Sequence, residues 1–190
     1  MRHLPALLLC GLLAAAFGAC AQEAYVTGGV GRSNWNFIDC GASGCDRNKT
    51  AWRFAAGYRF NRLVAAEAFY FDFGRSRSSS PSLDGELRGR AGGAQALLGW
   101  QFSTFELAGK IGLASVRADF RPAPSNVGDT SARSTHTEVI AGVMAAYRVT
   151  PQLALRFDLD IVTVALSSDL IFYSRGADVT TLLLGVKYGF

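Results

Sequence analysis

After residue 22 the chain contains no apolar run of about twenty residues, so no segment reads as a membrane-spanning helix. Charge is sparse: Asp, Glu, Lys and Arg make up 18% of the chain, and the formal net charge is only +4. Such a mild balance marks no nucleic-acid groove, and no nucleic-acid partner is expected. Proline is scarce, 5 residues against 21 glycines, which suits strands joined by tight turns. Beyond the N-terminal segment the sequence has one histidine, His136, and two cysteines, Cys40 and Cys45. A structural zinc needs a fuller set of ligands, so no metal and no cofactor is expected.

The N-terminus has its own pattern. Arg2 and His3 precede an apolar run from Leu4 to Phe17, followed by Ala19-Cys20-Ala21. A charged start, an apolar middle and a small-residue end form a cleavable secretory signal. This divides the chain into a signal at residues 1–21 and a mature domain at 22–190. Two other readings exist. The run to Ala21 reaches the lower length limit of a membrane anchor, but Pro5, Gly11 and Gly18 interrupt it. Phe17-Gly18-Ala19-Cys20 resembles a lipidation motif, with Phe where that motif prefers Leu. Export implies an oxidising compartment, so a disulfide between Cys40 and Cys45 is expected.

What the chain has in quantity is apolar residues, 49% of the total, dispersed by alternation. A short phrase recurs: Tyr58-Arg59-Phe60, Trp100-Gln101-Phe102, Tyr147-Arg148-Val149 and Tyr188-Gly189-Phe190. The first three run into turns at 61-62, 103-104 and 150-151; the fourth ends the chain. If these aromatics form a girdle, they fix which way each strand faces. Trp52, Phe54, Ala56, Tyr58 and Phe60 then share the outer face, opposite Arg53, Ala55, Gly57 and Arg59. Leu153, Leu155, Phe157, Leu159 and Ile161 oppose Ala154, Arg156, Asp158 and Asp160.

The same rule turns Glu106, Lys110, Glu138, Arg148 and Lys187 inward. In the third strand, Leu63 to Phe73, it points Glu67 inward and sends Phe69 and Phe71 to the lumen or its mouth. The first strand, about Ala24 to Asn34, is Gly-rich and its parity stays open. One face is thus apolar and the other carries both signs of charge. A soluble barrel has the opposite polarity, with apolar residues inside. Eight antiparallel strands in an up-and-down transmembrane β-barrel of the outer-membrane type are predicted. Long polar loops are expected at about 35-50, 74-91, 117-136 and 167-178. A barrel of eight strands is just wide enough for its own side chains to fill.

Ala96-Leu97-Leu98-Gly99-Trp100 through Val116-Arg117-Ala118-Asp119 resembles the fourth and fifth strands of the outer-membrane protein A (OmpA) barrel domain. Tyr147-Arg148-Val149-Thr150-Pro151 through Arg156 resembles the turn between its sixth and seventh strands. Gly57-Tyr58-Arg59-Phe60-Asn61 with Glu67 is similar to its second-to-third hairpin. The resemblance spans about residues 23-190 and implies an internal ion pair between Glu67 and Arg156. Leu97 and Ala146 stand where that family carries charge, which argues against a switchable gate of the family type. The resemblance also implies export to the cell outer membrane and lipid and lipopolysaccharide as surroundings. It further implies a monomer, with Phe190 as a terminal signal read by the barrel-assembly machinery.

The resemblance favours a non-enzymatic structural or surface-interaction role, with any extracellular ligand left unnamed. A narrow ion-conducting pore and a lipid A-modifying enzyme are the alternatives. For an enzyme, the one candidate set is Ser134, His136 and Glu138, at alternate positions. Same-face neighbours on a strand lie about 6.6–6.8 Å apart at Cα, so these side chains are expected not to meet. Arg75, Arg77, Arg88 and Arg90 lie in a polar stretch and suit phosphate geometry or an ordinary solvated loop. Trp35, Phe37 and Ile38 form either a contact patch or packing over the barrel rim.

Overall fold

The computed structural model describes residues 23–36, 48–80, 83–122, 132–166 and 175–190. The signal at 1–21, the Cys40–Cys45 disulfide, and Phe37 and Ile38 lie outside the described residues. Eight strands follow one another: β1 (Glu23–Asn36), β2 (Asn48–Arg59), β3 (Val64–Ser80), β4 (Leu83–Gln101), β5 (Phe105–Pro122), β6 (Ala132–Arg148), β7 (Leu153–Leu166) and β8 (Arg175–Gly189). Each pairs antiparallel with its sequence neighbours, and β1 pairs with β8 to close the barrel. Closure leaves no strand edge with unpaired backbone groups, the condition for strands to cross lipid.

The turns at one end are short, and side chains set their length. Phe102 N–H donates to Phe105 O at 2.7 Å, enclosing Ser103 and Thr104 as expected. The other two each enclose one residue more than expected. Phe60 N–H donates to Val64 O at 3.0 Å, and Val149 N–H to Leu153 O at 2.8 Å. The extra residue is held by a side chain that mimics a backbone acceptor. Asn61 Oδ1 accepts from the N–H groups of Leu63 and Val64, both at 2.8 Å; Thr150 Oγ1 accepts from Leu153 N–H at 3.0 Å.

At the other end, two of the expected loops are mostly paired strand. β3 and β4 stay paired as far as Ser80 and Leu83, and β5 and β6 as far as Phe120 and Ala132. Past the apolar belt both faces of a hairpin can be polar, so alternation fades while backbone pairing continues. One irregularity punctuates β3: a bulge between Asp72 and Arg75. Gly74 sits there at φ 82°, a conformation glycine adopts without strain. Asp72 Oδ1 accepts from Gly74 N–H at 2.9 Å, and Ser33 Oγ of β1 donates to Phe73 O at 2.6 Å.

The facing pattern follows the girdle rule. Leu184 is 63% exposed and Trp100 68%, both on the outer wall, while Arg156 is 1% and Glu67 2% exposed inside it. The open parity of β1 is resolved: Tyr25, Thr27, Ser33 and Trp35 point in, and Val26 and Val30 point out.

Candidate functional site

The lumen is built in two halves. Near the short turns its contents are ionic. Arg156 of β7 lies against Glu67 of β3 through two nitrogens, Nη1 to Oε1 and Nη2 to Oε2, the latter at 3.2 Å. The same guanidinium holds Asp158, with Nε to Oδ2 at 2.8 Å and Nη2 to Oδ1 at 2.9 Å. Arg53 of β2 bridges these carboxylates again, at 2.6 Å to Glu67 and 3.1 Å to Asp158. Lys110 of β5 reaches Asp158 at 2.5 Å and Asp160 at 2.6 Å. Closer to the turns, Glu106 accepts from Arg59 and from Lys187, the latter at 3.0 Å. In a lumen this narrow, such interlocked pairs replace the hydration each charge has lost.

Two members of the network were not singled out from the sequence. Tyr25 donates to Glu67 Oε1 at 3.0 Å and lies 4.3 Å under the Lys187 ammonium, ring centroid to nitrogen. Gln95 donates to Glu67 Oε2 at 2.8 Å. Inward parity was the available signal for Gln95; for Tyr25 it was lost in the glycines of β1. A glycine on the neighbouring strand is required: a Cβ at Gly57 of β2, directly opposite Tyr25, would sit 2.4 Å from the Tyr25 ring. Leu97 and Ala146 pack with Tyr25, Ala65, Ala108 and Met144 in a small apolar layer between the ionic groups.

Two charges expected in the lumen stand apart from the network. Arg148 lies at the short-turn mouth and donates to Ser103 O at 3.2 Å. Glu138 has inward parity but lies half-buried toward the long-hairpin end. There the filling is apolar: Trp35, Phe69, Phe71, Phe73, Ile140, Val162 and Leu183 are all buried. Phe71 stacks on Phe73 at 5.1 Å, and Trp35 meets Phe73 edge-on at 6.3 Å. Trp35 is therefore packing inside the barrel. The seam between the halves is Arg53, whose guanidinium sits 5.5 Å from the Phe71 ring and 5.6 Å from the Phe69 ring.

Ser134 and His136 correct an expectation. Their side chains do meet, with Ser134 Oγ 2.5 Å from His136 Nε2. Cα spacing was a poor guide, because two side chains on one face can lean toward each other. Both are half-buried with the parity of the buried Ile140. On the outer wall, Arg88 pairs with Asp72 at 2.6 Å, and Arg75 pairs with Glu86 at 3.4 Å. Arg90 Nε lies 3.7 Å from Asp72. The Arg77 side chain lies outside the described residues.

The outer wall carries the girdle. Tyr58, Phe60, Trp100, Phe102, Tyr147, Tyr188 and Phe190 are exposed around the short-turn end. Phe190 meets Tyr188 at 5.3 Å, and its N–H donates to Ala24 O at 3.0 Å. A second aromatic group, Trp52 with Phe54 and Tyr70 at 5.4 and 5.3 Å, lies toward the other end of the wall. Between the two groups the wall is mostly aliphatic, with Phe157 among the aliphatic side chains. An apolar wall with aromatic borders around an ionic interior is the polarity that lipid demands.

The profile of the outer membrane protein beta-barrel domain matches residues 4–190. The chain belongs to this family. This outer-membrane barrel resembles Neisserial surface protein A (NspA), with a TM-score of 0.60 and 20% identity, covering 88% of this chain and 97% of that one. It is also similar to Ail, the attachment invasion locus protein of Yersinia pestis, in complex with the heparin analogue sucrose octasulfate. There the TM-score is 0.59 and the identity 16%, over 89% of this chain and 99% of that one. A major outer membrane protein from Thermus thermophilus gives a TM-score of 0.58 at 14% identity, over 90% and 100%. No curated protein matches the sequence. At these identities the likeness concerns the fold, and the family places the chain in the outer membrane as a small barrel.

Proposed function

We propose that this barrel is a non-enzymatic scaffold that displays four extracellular loops and serves surface interaction, either adhesion or envelope integrity. The observation that carries this reading is the filled lumen. Ionic groups occupy one half, rings and aliphatic chains the other, so what the protein offers to partners is its loops and outer wall. Ail, which shares the fold, is by name a protein of attachment and invasion. The chain is exported by a cleaved signal at 1–21, inserted by the barrel-assembly machinery reading Phe190, and works as a monomer. A deletion strain should lose adhesion, serum survival or resistance to envelope stress, and refolded protein should show no steady single-channel current. Stable conductance would transfer the reading to a narrow pore.

One observation favours a second reading. The Ser134–His136 contact is the kind of pair that activates a nucleophile in a hydrolase. Against it, the pair has inward parity, away from acyl chains of surrounding lipid. Mass analysis of lipid A from strains with and without the protein separates the two. An acyl-chain difference abolished by Ser134→Ala would establish the enzyme.

A further inference from the structure

We propose that the outer wall of β3–β6, just past the apolar belt, binds the phosphate groups of a phosphorylated glycolipid in the surrounding leaflet. Outward-facing residues on these strands change character abruptly. On β3 the sequence is Ala68, Tyr70, then Asp72; on β4, Ala96, Ala94, Gly92, then Arg90 and Arg88. On β5 it is Ile111, Leu113, Ser115, then Arg117; on β6, Val139, Thr137, Thr135, then Arg133. The cations begin four to six residues past the last apolar side chain, about 13–20 Å along a strand, which is headgroup depth.

The register makes this patch unusual. Arg90 lies directly opposite Arg117, and Arg75 directly opposite Arg88. Like charges facing each other across a strand pair weaken it unless an anion lies between them. The protein's own anions fall short. Glu86 takes Arg75 at 3.4 Å, Asp72 is shared between Arg88 and Arg90, and Arg133 and Asp119 pair with each other at 2.9 Å, so the Arg90–Arg117 pair is the one left without an anion between its members. Among the described residues Arg117 has no ion pair. Arginine's planar fork matches phosphate oxygens in pairs, so a bridging phosphate between Arg90 and Arg117 resolves the conflict.

The patch is one-sided. On the opposite wall, β8–β1–β2, the corresponding outward positions are Asp178 and Thr180, Arg32 and Asn34, and Asn48 and Thr50. There Asn34 bonds to Asn48 at 3.0 Å, and the cationic and anionic positions balance. Because the cations face outward beside the lipid, and not up into the barrel mouth, the occupant is a component of the membrane.

The test uses the full chain refolded in phosphatidylcholine vesicles containing a small fraction of bis-phosphorylated lipid A, with chelator present to remove divalent bridges. After detergent extraction and purification, retained lipid A is quantified by mass spectrometry. Wild type should retain bis-phosphorylated lipid A and should not retain the dephosphorylated form. R90Q/R117Q should lower retention by on the order of tenfold, while R32Q on the opposite wall leaves it unchanged. Heat-modifiable migration on gels, kept by all variants, separates failure of this site from failure of the barrel itself. Equal retention of both lipid A forms by wild type would overturn the proposal without any variant. So would binding of a soluble phosphorylated sugar as strong as that of the lipid, since the source would then be free glycan.

Discussion

From the short turns up to Arg53, the lumen is filled by carboxylates, guanidinium groups and ammonium groups; from Phe69 to Trp35 it is filled by rings and aliphatic chains. Both halves exclude water, but they tolerate damage differently. In the ionic half most partners are charges whose hydration has already been given up, so deleting one of them strands another. In the apolar half, deletion leaves a void whose cost depends on how far neighbours relax. Arg53 belongs to both, paired with Glu67 and Asp158 and facing the rings of Phe69 and Phe71.

Arg156→Ala should have the largest effect on the ionic half. It removes the principal cation from both Glu67 and Asp158, and should destabilise the refolded barrel by about 3–5 kcal/mol in denaturant unfolding from detergent. With Glu67→Ala added, the loss should be smaller than the sum of the single losses, because one of the two stranded carboxylates is gone. Additive costs would show that the contact carries no coupling. Phe71→Ala probes the other half. Loss of a stacked, buried ring should cost about 3 kcal/mol, near the low end for such truncations, with the spread set by collapse of Phe69 and Phe73. A loss larger than that of Arg156→Ala would reverse the ranking of the two halves.

Gln95→Leu sharpens the ionic side further. Glu67 also receives Arg156, Arg53 and Tyr25, so losing the Gln95 bond leaves it satisfied. The expected cost is about 1 kcal/mol by the same unfolding measurement. A cost near that of Arg156→Ala would mean the network has no redundancy.

These differences explain how far the sequence can be read. Outward parity was legible because lipid penalises every error on that face: Leu155, Phe157 and Ile161 leave no other register for β7. Glu67 and Arg156 could be set inward by the same rule. Which carboxylate meets which cation was not legible beyond that pair, since partners such as Glu106 and Lys187 are 81 residues apart and meet only across the closed barrel. The apolar upper lumen was half hidden for a related reason. Phe69, Phe71 and Phe73 look like lipid-facing residues until Glu67 fixes their parity, and Trp35 falls where β1 loses its alternation to glycine. The length of the hairpins beyond the belt was hard to see, because polar residues occupy both faces of β6 there, with Ser134 and His136 inside and Arg133 and Thr135 outside, and on β5 only the inward Val116 and Ala118 keep an alternation.

The smallest effect belongs to the wall outside the belt, where Arg133 and Asp119 pair at 2.9 Å with the Arg133 side chain 70% exposed. The hydrogen bond from Arg133 holds the Asp119 carboxyl below its ordinary value. A carboxyl depressed on folding contributes stability above its unfolded pKa, and that contribution is lost as pH falls through the lower, folded value. Amide protection factors in the β5–β6 hairpin, taken against the intrinsic exchange rate at each pH, should therefore fall slightly below about pH 4, and Arg133→Ala should remove that pH dependence. At neutral pH the variant should cost no more than about 0.5 kcal/mol, since solvent screens an exposed pair. Raising salt should weaken this pair while leaving the Glu67–Arg156 contact intact, because mobile ions do not reach the lumen. If salt weakened both equally, the lumen would be open to ions, and the contrast between a sealed interior and a solvated wall would fail.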